Sequence, residues 1–171
     1  KQSRETKRQI HNLANQSQRM LEILAWNARQ SMLSLPRYQK EKMLIPHGLK
    51  VYSQADEDGI IQEIFRRISV SKKIFIEVGV GDGTENNSLY LLMQGWKGAW
   101  IEGDNECTNS IKNKFKTFLN ENQLKLVPEW VSKENINQVI YDCQLPEEID
   151  LLSIDVDGND YHIVESISPL N

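Results

Sequence analysis

The hydrophobic pattern changes character along this chain of 171 residues. Near the start, Ile10, Leu13, Ser17, Met20 or Leu21, Leu24 and Ala28 recur at steps of three and four, which puts one apolar stripe on a long helix over 6–33. Pro36 ends that helix or forces a turn. Beyond residue 50 helix-spaced segments alternate with short solid apolar runs, as in an α/β protein. Helices are expected over 56–68, with Ile60, Ile61, Ile64, Phe65 and Ile68 turned inward, and over 84–94, with Leu89, Leu92 and Met93 inward and Gly95 as the stop. A further helix over 107–120 buries Ile111, Phe115, Phe118 and Leu119. The runs near Phe75, Trp100, Leu124 and Leu151 read as strands of an open, mostly parallel sheet, and Pro128 puts the third at an edge or a strand end.

The strand that begins near Phe75 runs into Glu77-Val78-Gly79-Val80-Gly81-Asp82-Gly83. Glycines directly after a buried strand let the backbone turn sharply and approach a ligand more closely than a Cβ allows. The dinucleotide fingerprint has its third glycine one residue later, and the phosphate loop needs a Lys that is absent, so neither fits. Glu102 ends the next apolar run about 20 residues past the last glycine, where a carboxylate takes a ribose diol. Asp104 is the alternative for that role. A third run ends in Asp155, Asp157, Asn159 and Asp160, at the carboxyl edge where ligands of open α/β sheets sit. A calcium loop there is excluded, because position six is Asp160 instead of Gly and position twelve is Ser166 instead of Glu. Asp155, Asp157 and His162 are the candidate catalytic bases.

The order acid, then three alternating glycines, resembles the cofactor loop of class I S-adenosylmethionine-dependent methyltransferases. Three pieces together resemble their FkbM-like branch: Tyr52-Ser53-Gln54 with Asp58-Gly59-Ile60; Glu77-Val78-Gly79 with Asp82-Gly83 and Asn86-Asn87; and Asp150 through Asp155 with Asp157 through Tyr161. Ala55-Asp56 departs from the small x-Gly turn expected in the first piece. The resemblance covers about residues 50–165 and implies a Rossmann-like sheet, S-adenosylmethionine as cofactor, and methyl transfer to a hydroxyl of a small molecule or glycan. It implies cofactor contacts at Glu77, Gly79, Gly81, Asp82, Gly83, Glu102 and Asp104. Many related enzymes hold the adenine near Glu129-Trp130. Since the fold usually has seven strands, the chain reads as C-terminally truncated, with an apolar sheet edge that a second copy or a missing segment would cover. The competing functional reading is a catalytically silent Rossmann-like module for binding or assembly.

Charge divides the chain at the same place as pattern. Residues 1–50 carry ten Lys or Arg against three acids, net +7, and residues 51–171 carry ten against 21, net −11. Boundaries at 1–50 and 51–171 follow, a basic helix and linker before the Rossmann-like domain. Three uses of the helix compete: packing on its own domain or a second subunit as a homodimer, attachment to a membrane surface or nucleic acid, and a lid carried by residues 36–48. Nucleic acid is not the expected partner. No apolar run reaches the roughly 20 residues that span a bilayer. Cys107 and Cys143, without C-x-x-C or a His pair, indicate neither a disulfide framework nor a zinc site, so a reducing, cytoplasmic setting is expected.

Overall fold

The computed structural model describes residues 2–168, with side chains described at position 7 and from position 11 onward. Lys1, and the side chains of Arg4, Arg8 and Ile10 from the basic start and the stripe, therefore lie outside the described residues. The chain divides into two compact units between Pro46 and His47. The first unit is a helix, α1, spanning Gln2–Leu33, followed by a 3₁₀ turn at Pro36–Tyr38. Gln39 Nε2 donates to Leu33 O at 2.7 Å and fastens that turn to the helix end. The stripe residues Leu13, Met20, Leu21 and Leu24 are each more than half exposed.

The second unit is α/β. Its elements run α2 (Glu57–Arg67), β1 (Ile74–Val78), α3 (Leu89–Met93), β2 (Lys97–Ile101), α4 (Asn105–Lys114), α5 (Lys116–Asn120), β3 (Leu124–Val127), α6 (Ile136–Asp142), β4 (Leu151–Ile154) and α7 (Asp160–Ser166). The four strands form one sheet in the order β3-β2-β1-β4, and every pairing is parallel. Chain direction across the sheet reverses at β1, whose neighbours β2 and β4 lie on opposite sides of it. Ligands of doubly wound sheets bind at such a switch point.

The two-residue period of the strands splits the core in two. Phe75, Trp100 and Leu124 join Leu89, Leu92, Ile111 and Phe115 in one cluster. Ile76, Val78, Ala99 and Ile101 join Ile136, Val139, Ile140 and Ile163 in the other. Helices thus cover both faces, as an all-parallel sheet requires.

Several boundaries differ from the periodicity. The helix expected over 84–94 begins only at Leu89, because two side chains capture the backbone ahead of it: Glu77 takes the Asn87 and Ser88 N–H groups, and Asn86 Oδ1 takes those of Ser88 and Leu89. The helix expected over 107–120 breaks at Phe115, which packs edge-on against Trp100 with centroids 4.8 Å apart. Strand β3 stops at Val127, before Pro128. Ile68 and Met93 are exposed instead of buried. Helix α6 is an element that the spacing of apolar residues did not supply.

The segment ahead of α2 is clasped to it. Asp58 Oδ2 accepts the N–H groups of Val51, Tyr52 and Ser53 at 2.7, 2.6 and 2.9 Å. A Cβ on Gly59 would come within 2.2 Å of His47 O, so only glycine permits this approach. One turn on, the buried Glu63 carboxylate receives Arg66 at 2.6 Å and Arg67 at 2.7 Å. Among the described residues no helix is long and apolar enough to cross a membrane.

Burial ranks the residues by their cost when truncated. Phe75→Ala, at a fully buried site, is expected to lower unfolding free energy by about 3–5 kcal/mol. Met93→Ala, at an exposed site of the same core-facing pattern, is expected to stay within about 0.5 kcal/mol. Urea unfolding of both variants checks this, and equal losses would contradict the assigned faces.

Candidate functional site

Glu77 is the charged residue of β1, and it is 1 % exposed. It survives there because four donors converge on it: Asn87 N at 2.9 Å, Ser88 N at 2.8 Å, Ser88 Oγ at 2.5 Å and Ser153 Oγ at 3.4 Å. Ser88 Oγ in turn accepts from Trp100 Nε1 at 2.8 Å, and Asn87 Nδ2 donates to Ser153 Oγ at 3.2 Å. A buried carboxylate is tolerable only with such compensation. Burial raises its pKa, and the bonds from Ser88, Asn87 and Ser153 oppose that rise. The side chain is thus spent on shaping the loop that follows it.

That loop turns through glycines with positive φ: Gly79 at 80°, Gly81 at 56° and Gly83 at 81°. Their surroundings differ. A Cβ on Gly79 would lie 1.8 Å from Asp155 O, and one on Gly83 would meet Phe115 and Trp100 within 3 Å. A Cβ on Gly81 would meet nothing within 4 Å, because that position faces open space. Asp82 Oδ2 pairs with Lys114 Nζ at 2.5 Å, and Asp82 Oδ1 accepts from Thr84 N at 3.0 Å. The Lys114 ammonium first, then the Thr84 bonds, hold the Asp82 carboxyl down at about 2.

Glu102 leaves the end of β2 and joins two turns. Its Oε2 accepts from Gly81 N at 2.8 Å and its Oε1 from Asp104 N at 2.9 Å. Each oxygen retains a second lone pair. Asp104 is the N-cap of α4: its Oδ1 accepts from Cys107 N at 2.8 Å, and that bond lowers its pKa. Of the two acids proposed for a diol, Glu102 lines the cleft and Asp104 is committed to its helix.

A cleft of about 460 Å³ lies along the carboxyl ends of β1, β2 and β4. Gly79, Gly81, Glu102, Trp130, Asp155 and Asp157 are among its lining residues, which brings together five of the residues the sequence singles out for cofactor or catalysis with Trp130. Trp130 is largely exposed, and its ring lies so close over Gly103 that a Cβ there would come within 2.3 Å of it. Among the described residues four that line the cleft are acidic, Glu102, Glu129, Asp155 and Asp157, and no Lys, Arg or His lines it. His162 lines a neighbouring pocket with Ser132 and Lys133 instead. Asp160 ties the turn after β4, accepting from Val156 N at 2.8 Å and Gly158 N at 3.1 Å.

Sequence reasoning gave Asn86, Asn87 and Ser88 no structural duty, although they set the whole exit of the loop. A run of amides and hydroxyls where a helix is due was the available signal, since such side chains compete for the backbone. Asp150 is similar. At the start of β4 it accepts from Ser71, Lys72 and Ile74 N, each at 3.1 Å, and joins β4 to the lead-in of β1.

The acids give opposite pH dependences. Asp82 is held at about 2 against an ordinary 3.8, so the stability it lends is complete above 3.8 and is lost as pH falls through about 2. Glu77 is raised, so its contribution is largest below 4.5 and declines as pH climbs through its higher native value. Lys114→Met is expected to move the acid-unfolding limb modestly upward in pH, since the pair is half exposed. An unchanged limb in acid titrations followed by circular dichroism would show that the pair does not hold the loop. No protein-family model, curated protein or solved structure matches the chain, so its site is known through its own geometry.

Proposed function

We propose that this protein is a S-adenosylmethionine-dependent methyltransferase acting on a hydroxyl group of a small molecule or glycan. The observation that carries the proposal is the charge of the cleft: a glycine loop and a diol-competent carboxylate border a space with four acids and no cation. A pyrophosphate-bearing dinucleotide is disfavoured there, because like charges repel and the Gly81 N–H that would meet a phosphate already bonds Glu102. A ligand with a sulfonium and an ammonium suits the same field.

The residues present fit that cofactor. Gly81 leaves open space beside the loop, Glu102 has lone pairs left for ribose hydroxyls, and Trp130 offers an exposed ring over Gly103. When bound, S-adenosylmethionine supplies an electrophilic methyl group whose transfer depends chiefly on in-line placement. Asp155 and Asp157 stand at the mouth to accept the proton of an acceptor hydroxyl. The Gly79 and Gly83 contacts keep the loop in one shape before any ligand arrives.

Calorimetry with S-adenosylhomocysteine and NAD tests the reading. Binding of the first and not the second is expected, with Glu102→Ala weakening it at least about tenfold. Failure of S-adenosylhomocysteine to bind the wild-type chain overturns the cofactor assignment. Unchanged affinity in Glu102→Ala overturns the ribose role alone.

A further inference from the structure

Bordering Gly79, a residue it shares with the main cleft, lies a second compartment of about 120 Å³. Among the described residues its lining includes Gln54, Glu77, Glu85, Asn86, Asn87 and Asp155 and no apolar side chain. Gly79 and Asp155 belong to both spaces, so the two share one wall. Gln54 is brought here by the segment that Asp58 clasps, and Asn86 N donates to Tyr52 O at 3.2 Å, which ties that segment to the glycine loop.

The walls differ in what they have left to offer. Asn86 is 8 % exposed and spends its amide on Ser88 N, Leu89 N and Gly83 O. Glu85 faces Lys50 Nζ at 3.5 Å, which offsets its charge. Among the described residues the Gln54 amide and the Asp155 carboxylate have no protein partner, and Asn87 bonds only Ser153 through its Nδ2. A mixed set of amides and one uncompensated carboxylate suits neither an anion, which the carboxylates repel, nor an apolar group. A hydroxyl both donates and accepts, and so matches amides and carboxylate together.

Resting on the cofactor reading above, we propose that this compartment is the acceptor side of the site and receives neighbouring hydroxyl groups of a neutral polyol. Gln54 and Asn87 select the acceptor, bridging one hydroxyl through their amides. Asp155, on the shared wall, accepts from the hydroxyl nearest the cleft. Gln54 is therefore a specificity-determining residue with no part in holding the cofactor.

The test uses the full chain labelled with ¹⁵N and the side-chain amide resonances of Gln54 and Asn87. Titration with methyl α-D-glucopyranoside, with and without S-adenosylhomocysteine, is expected to move both resonances saturably. Gln54→Leu, an exposed position that folding does not need, is expected to weaken sugar binding about tenfold and leave the calorimetric affinity for S-adenosylhomocysteine unchanged. Putrescine as the probe separates a cation site from a polyol site. The proposal is overturned if the sugar leaves the resonances still, if only putrescine moves them, or if Gln54→Leu binds the sugar as the wild type does. Sugar binding in a chain that ignores S-adenosylhomocysteine supports the subsite and sinks the cofactor reading, so the two fail separately.

Discussion

A carboxylate buried in the central strand governs the rest of this structure. Glu77 sits in β1 with almost no contact with water, and its oxygens can be satisfied only if the chain returns to supply donors. The return is the loop 79–88, which delivers Asn87 N, Ser88 N and the Ser88 hydroxyl to it. Without the carboxylate those donors would be buried and unpaired, each at a cost of about 1–3 kcal/mol. The glycine loop, the late start of α3 and the anchoring of Trp100 through Ser88 are one network with Glu77 at its centre. The position of the cleft follows, because the loop it shapes is the cleft's floor.

Much of the fold could be read from sequence where a single force decided the outcome. The solid apolar runs at Phe75-Ile76 and at Ala99-Trp100-Ile101 specify buried parallel strands, and the structure pairs them in register. The order β3-β2-β1-β4 places Leu124 at the edge that Pro128 implies. The misread places are those where side-chain polarity competed with periodicity. Residues 84–88 have helical spacing around them, yet Asn86 and Glu77 draw their N–H groups away. Met93 and Ile68 are apolar at the right step and still face solvent, because α3 and α2 end beside them.

The site divides along the same line. Residue type and spacing from the glycines put Glu102, Asp155 and Asp157 at the strand ends, and there they line the cleft. What spacing could not show was competition for the same atoms. Asp104 serves α4 as a cap, Asp82 serves Lys114, and Glu77 serves the loop, so three acids of one motif region stabilise structure while Glu102 both anchors Gly81 and faces the cleft. His162 is near Asp155 in sequence, but the turn held by Asp160 sends it toward a different pocket.

The contact between Gly79 and the Asp155 carbonyl has a thermodynamic consequence. Gly79 and Asp155 border both the cleft and the compartment, with no side chain at Gly79 to absorb displacement. A ligand that shifts the end of β4 on one side alters the floor presented on the other. If both spaces are filled as proposed, any gain in affinity that the first ligand confers on the second is returned in equal measure. The missing Cβ at Gly79 would then make the two proposed binding events one equilibrium.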